Sequence, residues 1–245
     1  MKYLTNVKYW ENAQGVPNIK LEDGNLIEQW LNKEVDFSTI ANCIEIGCYP
    51  GRYLSIFAKK GIEVNGLDYI EDVNQLPDIF RSNGYKVGDF YYEDFLKFNT
   101  DRKFDCVFSL GFIEHFEDWE EVFLRHLDLV SPEGIVIIEV PNFTGWFQFI
   151  PRFLFDRQNL KRHNLGAMKL EKWKEILASK GFEITFSGYM GGYLLWFEGK
   201  INNRILKRLT KESIKYLSLL QKVLFKKRTE HSSFSAAMGI MAKKR

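Results

Sequence analysis

From residue 42 to residue 140 the chain alternates between short apolar runs and helix-like segments, and this alternation constrains its fold more than any other feature. The strand-like runs cover residues 42–46, 62–67, 85–92, 104–110 and 135–140. The intervening segments 51–60, 72–83 and 119–130 carry apolar residues at helical spacing. Because strands that alternate with helices build βαβ units, the sequence predicts a mostly parallel sheet in a doubly wound α/β fold.

The segments after residue 140 fit the same fold less regularly. Residues 169–180 have the pattern of a helix, and residues 182–186 and 234–241 resemble two final strands separated by a long insert. Hydrophobic residues make up 45% of the 245 residues and aromatic residues 16%, which is enough apolar surface to order a full core. We therefore expect a single domain over residues 1–245.

The charge and cysteine content exclude several classes of protein. The net charge is only +2, so any basic function must come from a local segment. The three cysteines, Cys43, Cys48 and Cys106, show no C-x-x-C spacing, which argues against a zinc site or a disulfide framework. Because the sequence has no signal-peptide pattern and no apolar run approaching about 20 residues, we expect a cytoplasmic protein.

The sequence EIGCYPG at residues 45–51 joins the first predicted strand to the first predicted helix. Ligands of open α/β sheets bind beyond the carboxyl ends of the strands, where the strand order reverses. Gly47 allows the backbone to approach a ligand closely, and Gly51 allows the helix to start close to it. Asp68 ends the second predicted strand, where a carboxylate can accept hydrogen bonds from ribose hydroxyls.

Four segments in the expected order give the chain a resemblance to the class I S-adenosylmethionine (SAM)-dependent methyltransferases. EIGCYPG resembles their motif I, usually written E/D-x-G-x-G-x-G, and is followed by Asp68, by Glu93-Asp94-Phe95 and by FDCVFSLGFIEHFED. The resemblance covers residues 42–141. It implies a Rossmann-like, seven-stranded sheet whose last strand is antiparallel, helical and aromatic inserts after strands 5 and 6, and SAM as the cofactor.

The resemblance also implies which residues hold the cofactor. The nine positions are Glu45, Gly47, Gly51, Asp68, Tyr69, Asp94, Phe95, Ser109 and Gly111. Glu45 and Gly47 would lie by the methionine end of SAM. Residues 109–111 would line the same side, and Asp68 would bind the ribose.

The adenine end depends on three of these positions. Tyr69 would lie beside the adenine, Asp94 would accept from its amine, and the Phe95 backbone would contact the ring. The chain departs from motif I at Tyr49, which replaces the middle glycine. An NAD fingerprint, G-x-G-x-x-G, would also need glycine where Tyr49 and Arg52 stand, so it is absent. Turn glycines and a helix-capping aspartate are the alternative, and the four ordered segments favour the cofactor site.

Two histidines are the candidates for chemistry at the acceptor. Displacing a methyl group from a sulfonium mainly requires alignment and needs no metal, but a hydroxyl acceptor must lose its proton to a base. His115, which follows Glu114 after the fourth strand, is our first candidate for a general base or an acceptor-positioning group. The alternative is that it caps the following helix. His163, in the insert after strand five, is the second candidate, and His126 lies inside a predicted helix as a structural residue.

The flanks of the predicted sheet suggest where an acceptor would be held. Residues 1–40, with the aromatic pair Tyr9 and Trp10, are predicted to form a lid, because an N-terminal aromatic segment closes over SAM in similar enzymes. Residues 143–168 and 190–232 are predicted to be inserts on the substrate side. The sequences HNLGAMKL and GYMGGY resemble methyltransferases of polysaccharide-biosynthesis type, which suggests a sugar hydroxyl as the acceptor.

Two segments within these inserts suggest contact with a membrane surface. Residues 143–155 are crowded with aromatic side chains, and residues 200–228 carry ten Lys or Arg against one Glu on a helical pattern. Aromatic and basic residues together can lie in a bilayer interface. We therefore expect a small-molecule acceptor, a saccharide or a lipid-linked intermediate, with peripheral contact at the inner membrane face. The alternative is that residues 143–155 pack on the sheet and residues 200–228 face water.

Two other functions are open from the sequence. The basic segment 200–228 could hold the phosphates of an RNA substrate. Against that, no Asn/Asp-Pro-Pro-Tyr motif follows the fourth strand, so we do not expect a nucleic-acid partner. A non-catalytic partner protein with the same fold is the other alternative, because Tyr49 could fill the cofactor crevice.

Overall fold

A computed structural model of the chain describes residues 2–5, 7–193 and 230–245, together with isolated positions between 208 and 223. The predicted basic segment 200–228 and most of the predicted insert 190–232 lie outside the described residues. Among the described residues, no helix is both long and apolar enough to cross a membrane.

Seven strands form one mixed sheet in the order β3-β2-β1-β4-β5-β7-β6. They are β1 (Asn42–Ile46), β2 (Glu63–Asp68), β3 (Val87–Tyr92), β4 (Phe104–Leu110), β5 (Val130–Pro141), β6 (Phe182–Tyr193) and β7 (Ser235–Lys244). The first five pair in parallel, and β7 runs antiparallel to β5 and β6. The predicted seven-stranded fold with an antiparallel last strand is therefore confirmed.

Helices cover both faces of the sheet. Within the described residues they are α1 (Val7–Gln14), α2 (Leu26–Glu34), α3 (Leu54–Ala58), α4 (Leu76–Ser82), α5 (Trp119–Asp128), α6 (Trp146–Phe155), α7 (Arg157–Lys161) and α8 (Leu170–Ser179). Alternate β4 side chains point to opposite faces: Phe108 joins the core beneath α2, α3 and α4, and Val107 joins the core beneath α5 and α8.

The sequence predicts that the fifth strand begins at residue 135, but the preceding segment SPEG, residues 131–134, also lies inside β5. Phe104 pairs with Val130 and Cys106 pairs with Ile135. The four β5 residues 131–134 therefore lie opposite a single residue of β4. Glu133 adopts a left-handed backbone conformation with φ of 62°. The prediction was wrong because the backbone re-enters the ladder on both sides of this irregularity, as at a β-bulge.

The strand order places one crevice at the top of the sheet. The chain winds outward from β1 to β3 on one side and from β4 onward on the other, so the carboxyl ends of β1 and β4 separate the two halves. Ligands of doubly wound sheets bind at this reversal. The turns that follow β1, β2 and β4 therefore build the site.

Candidate functional site

A cleft opens at the carboxyl ends of β1, β2 and β4. Its inner side consists of the turns after these strands, and its outer side consists of Tyr3, Thr5, Trp10 and Gln14 from the N-terminal segment. The cleft holds about 470 Å³ of atom-free space, counting the part open to solvent. It is the location that the strand order and the EIGCYPG sequence predict.

Gly47 sets the shape of the inner side. Its φ is 76°, in the left-handed region that favours glycine, and its backbone N–H donates to the carbonyl of Leu67 at 2.8 Å. A Cβ at this position would lie 2.6 Å from Cδ2 of Phe112. Position 47 therefore needs glycine, because the Phe112 ring packs where a side chain would begin.

Asp68 ends β2 with its carboxylate at the cleft. One oxygen accepts from the backbone N–H of Tyr49 at 2.9 Å, and the other accepts from that of Ile70 at 3.1 Å. Burial raises the pKa of Asp68 to about 6, and these backbone donors act in the opposite direction. Each carboxylate oxygen has a further lone pair, so Asp68 can still accept from a ligand hydroxyl.

Tyr49 does not fill the cleft, and Gly51 does not line it. Tyr49 forms part of the cleft wall, and its hydroxyl donates to the carbonyl of Gly15 at 2.7 Å. The phenol is therefore tied to the N-terminal segment, and the cleft stays open beside it. Gly51 lies away from the cleft: a Cβ there would meet Leu76 at 2.9 Å and Ile19 at 3.4 Å, so its glycine serves packing.

Two polar atoms on strands β1 and β4 below the cleft are buried without a hydrogen-bond partner among the described residues. They are Oε2 of Glu45 and Oγ of Ser109, at the carboxyl ends of β1 and β4. Burial raises the pKa of Glu45 well above its usual range, and the neighbouring charge of Asp68 adds to the rise. Because unpartnered buried polar groups are costly, these atoms indicate a polar or cationic ligand.

The predicted adenine partners lie together, but Tyr3 already contacts them. The Tyr3 hydroxyl donates to Asp94, and its ring stacks on Tyr69 with centroids 5.8 Å apart. Asp94 also accepts from the backbone N–H of Leu96 at 2.9 Å. Phe95 is buried in the core and is not among the cleft-lining residues. Sequence reasoning missed Tyr3, whose only signal was an aromatic residue in the N-terminal segment.

The two candidate histidines lie next to each other, with ring centroids 4.5 Å apart. The Nδ1–H of His115 donates to the carbonyl of Arg162 at 2.8 Å, and that of His163 donates to the carbonyl of Asn159 at 2.7 Å. These bonds leave each Nε2 as the acceptor nitrogen. His115 lines the cleft from a 3-10 turn, Ile113–His115, rather than from a helix cap.

Glu114 completes this cluster from beneath the cleft. Its Oε1 lies 3.7 Å from Nε2 of His115, and its Oε2 has no hydrogen-bond partner among the described residues. Burial lowers the pKa of His115 to about 3 and raises the pKa of Glu114 well above its usual range. With His163, the cluster brings an oxygen and two nitrogens within 4.8 Å of one another, a donor set suited to a divalent cation. The expectation of no metal stays a prediction.

Helix α1 covers this cluster. The Trp10 ring meets His115 edge-on, with centroids 4.8 Å apart, and its Nε1–H donates to Oγ1 of Thr5 at 2.9 Å. Tyr9 lies beside Trp10 and under the guanidinium of Arg162, 4.4 Å from the ring centroid. The aromatic pair singled out from the sequence therefore lies at the cleft.

The third buried histidine lies behind the cleft wall, with its ring centroid 5.9 Å from that of Phe112, which lines the cleft. His126 lies within α5, and its Nδ1–H donates to the carbonyl of Val122 at 2.7 Å. Burial lowers its pKa to about 4. His126 therefore lies within a helix, as the sequence predicts, and it does not line the cleft.

Helix α6 divides the aromatic segment 143–155 between the core and the surface. Phe143 and Phe147 are buried. The opposite side of α6 exposes large apolar side chains, with exposed fractions of 40–58%: Trp146, Ile150, Phe153, Leu154 and Phe155. Packing in the core accounts for the buried side of this segment. Contact with a membrane surface stays a prediction, for which the other side offers an exposed apolar strip.

Comparisons with known proteins give one consistent family. Residues 19–185, more than half of the chain, match a family model described as a methyltransferase domain. A ubiquinone biosynthesis O-methyltransferase from Rickettsia felis is 25% identical over 143 residues, which cover 55% of this chain and 57% of that protein. The chain thus spans about half the length of the curated relatives it matches.

Solved structures share the whole fold. A SAM-dependent methyltransferase from Archaeoglobus fulgidus superposes with a TM-score of 0.55 at 21% identity, covering 97% of this chain and 98% of that one. A putative sarcosine dimethylglycine methyltransferase from Galdieria sulphuraria gives a TM-score of 0.58 at 14% identity, covering 97% of each chain. At these identities the likeness concerns the fold.

Proposed function

The chain belongs to the methyltransferase-domain family, and on that premise we propose that it transfers the methyl group of SAM to a hydroxyl of a small-molecule acceptor. One observation carries the proposal. The acidic strand end at Asp68 and the imidazole of His115 open into the same cleft, so a cofactor site and a proton acceptor face one space. A nucleoside-binding protein without chemistry would have no use for the second group.

The inner side of the cleft suits the proposed cofactor. Asp68 would hold the ribose hydroxyls. The unpartnered oxygens of Glu45 and Ser109 lie where a cationic, amino-bearing methionine end would satisfy them. Gly47 and Gly111 would let the backbone approach the ligand closely. Bound SAM would supply a methyl group that is already activated by its sulfonium charge.

His115 would act on the acceptor. Its Nδ1–H is fixed on the Arg162 carbonyl, so its Nε2 lone pair is available to a hydroxyl proton. Bound SAM would supply the methyl group and leave as its thioether, while the hydroxyl proton of the acceptor would pass to Nε2 of His115. The lowered pKa keeps His115 neutral at pH 7, so Nε2 would be a hydrogen-bond acceptor, and the same burial makes it a weak base. His163, whose ring centroid lies 4.5 Å from that of His115, would help to hold the His115 ring in place.

We propose a lipid-linked acceptor rather than a free saccharide. The exposed apolar strip of α6 lies in the predicted insert 143–168, the same insert in which the buried Phe143 packs against His163 with ring centroids 4.7 Å apart. The Rickettsia relatives named ubiquinone biosynthesis O-methyltransferases point to the same hydroxyl chemistry on an apolar carrier. In this arrangement the lid consists of the first part of the predicted segment 1–40, up to α1, because α2 packs in the core against Phe186. Residues 143–168 would form the acceptor side of a single domain, 1–245.

A turnover assay tests the chemistry. We would follow the release of S-adenosylhomocysteine (SAH) from SAM with three probes: a short-chain prenylated catechol, a methyl glycoside and a mixed RNA. We expect turnover with the first. The His115→Gln variant should lose about 100-fold in kcat while SAH affinity changes little, since the base acts on the acceptor. Undiminished turnover in that variant would contradict the assigned role, and turnover on RNA alone would revive the nucleic-acid alternative.

Vesicle flotation tests the surface contact. We expect the protein to float with vesicles containing anionic lipid, and a Trp146→Ser/Leu154→Ser variant to float less, because both side chains are about half exposed on α6. Val16→Ser is the matched control, since Val16 is an exposed apolar residue outside the strip. Equal flotation of all three proteins, or none, would remove the membrane proposal.

A further inference from the structure

Tyr3 is held in the cleft by contacts that a nucleobase could make. Its ring stacks on Tyr69 at 5.8 Å and packs against Phe116 at 4.7 Å, between centroids. Its hydroxyl donates to Asp94. Burial and the Asp94 charge both raise the pKa of Tyr3, so the phenol remains a hydrogen-bond donor at neutral pH. The Tyr3 side chain is an aromatic ring with a hydrogen-bond donor at its edge. Adenine, with its amine, has the same two features.

The two partners of Tyr3 are the ones that the resemblance assigns to the cofactor base. Tyr69 would lie beside the adenine, and Asp94 would accept from its amine. A flat ring needs about 3.5 Å of separation on each of its faces, so a further ring cannot enter a 5.8 Å gap. An adenine therefore cannot insert between Tyr3 and Tyr69, and its amine would compete with the Tyr3 hydroxyl for Oδ1 of Asp94.

Among the described residues, the backbone of the segment around Tyr3 is attached to the 3-10 turn after β4 at a few points. The Leu4 N–H donates to the His115 carbonyl at 2.8 Å, and the Glu117 N–H donates to the Lys2 carbonyl at 3.0 Å. Tyr3 and Phe116 form an isolated antiparallel bridge. The side chains of Lys2 and Glu117 form an ion pair that is largely exposed, and such pairs contribute little. A short attachment of this kind can open without unfolding the sheet.

We infer that Tyr3 occupies the adenine subsite of the free protein, so that residues 2–5 act as an internal competitor that leaves when the cofactor binds. The inference rests on the proposed function. If so, the apparent Kd for the cofactor equals the intrinsic Kd divided by the fraction of molecules in which Tyr3 has left the cleft. Weakening the Tyr3 contacts should therefore tighten cofactor binding, the reverse of what removing a binding residue does.

Calorimetry with SAH tests this sign. Tyr3→Phe removes the hydroxyl bond to Asp94 and keeps the ring, and we expect SAH to bind roughly ten- to 100-fold more tightly, from the usual strength of a hydrogen bond to a charged group. Tyr3→Ala should tighten binding further. Tyr91→Phe is the matched control, because the Tyr91 hydroxyl also donates to an aspartate, Asp89, but outside the cleft. We expect it to bind SAH as the wild type does.

Hydrogen exchange gives an independent readout of the same event. If Tyr3 leaves, saturating SAH should speed the exchange of the Leu4 and Glu117 amides, which the attachment protects. Weaker or unchanged SAH binding in both Tyr3 variants, or slower exchange at these amides, would overturn the inference and make Tyr3 a clamp or a bystander. Absence of SAH binding in the wild type and in both variants would overturn the proposed function, and this inference with it.

Discussion

The two sides of the cleft are built differently. The inner side, formed by the turns after β1, β2 and β4, is fixed by backbone hydrogen bonds and close packing, as at Gly47 and Asp68. The outer side, residues 2–14, is joined to it by an isolated bridge, a few hydrogen bonds and ring contacts. The inner side also carries buried carboxyl groups, whereas the ion pair at Lys2 is exposed.

The fold therefore depends on the inner side, and access to the site depends on the outer side. Changes on the inner side should alter the free energy of unfolding, because they create strain or buried charge in the sheet. Changes on the outer side should alter ligand binding and leave stability nearly intact, because the attachment can open locally. Three predictions test that separation, in order of decreasing effect.

The largest effect is expected from Glu139 on β5, whose backbone carbonyl accepts from the N–H of Gly111, a residue of the inner side, at 2.9 Å. Glu139 is 8% exposed, and burial raises its pKa to about 8 from the ordinary 4.5. Since the folded-state pKa lies above the unfolded-state value, its contribution to stability is present below pH 4.5 and is lost as pH rises through 8. Relative to Glu139→Gln, the wild type should lose up to about 5 kcal/mol over this range, from about 1.4 kcal/mol per pKa unit. Urea unfolding of both proteins at several pH values measures this, and parallel pH profiles would contradict it.

A smaller effect is expected from Gly47→Ala. The change imposes a side chain at φ of 76° and a Cβ 2.6 Å from the Phe112 ring, which together should cost about 3 kcal/mol of unfolding free energy. Gly61→Ala is the matched control, because Gly61 has φ of 79° and open space around its Cβ position. It should lose only about 1 kcal/mol, for the backbone conformation. Equal losses in urea unfolding would show that Phe112 yields freely.

The smallest effect is expected from Lys2→Ala on the outer side. The Lys2 and Glu117 side chains are 72% and 45% exposed, so solvent and salt screen their ion pair. We expect the thermal unfolding midpoint to stay at the wild-type value. A clear drop would mean that the outer side belongs to the same cooperative unit as the sheet, and the contrast between the two sides would fail.

The inner side could be predicted from the sequence because local rules determine it. The apolar runs at β1 and β4 and the strand-ending Asp68 all report short-range constraints, and the sheet order follows from βαβ connection. The partner of Gly47 could not be predicted, because Phe112 reaches it only through the packing of β1 against β4. Gly51 was misjudged for the same reason, since its neighbours Leu76 and Ile19 come from distant segments.

The outer side was harder to predict. Tyr9 and Trp10 were singled out as aromatic residues, but nothing local in the sequence ties Tyr3 to Asp94, 91 residues away. His115 and His163 were chosen separately, and the contact between their rings depends on how the insert after β5 folds back over the 3-10 turn. Contacts between segments far apart in sequence need the tertiary structure, because periodicity reports only local neighbours.

One calorimetric titration tests the central claim, that the inner side of the cleft holds an adenosyl cofactor through the acid that ends β2. SAH is titrated into the wild type and into Asp68→Ala, with circular dichroism to confirm that the variant is folded. We predict one bound SAH per wild-type chain and at least about 100-fold weaker binding in Asp68→Ala, because the ribose loses a charged hydrogen-bond acceptor. No SAH binding by the wild type, or equal affinity in a folded variant, would contradict the claim.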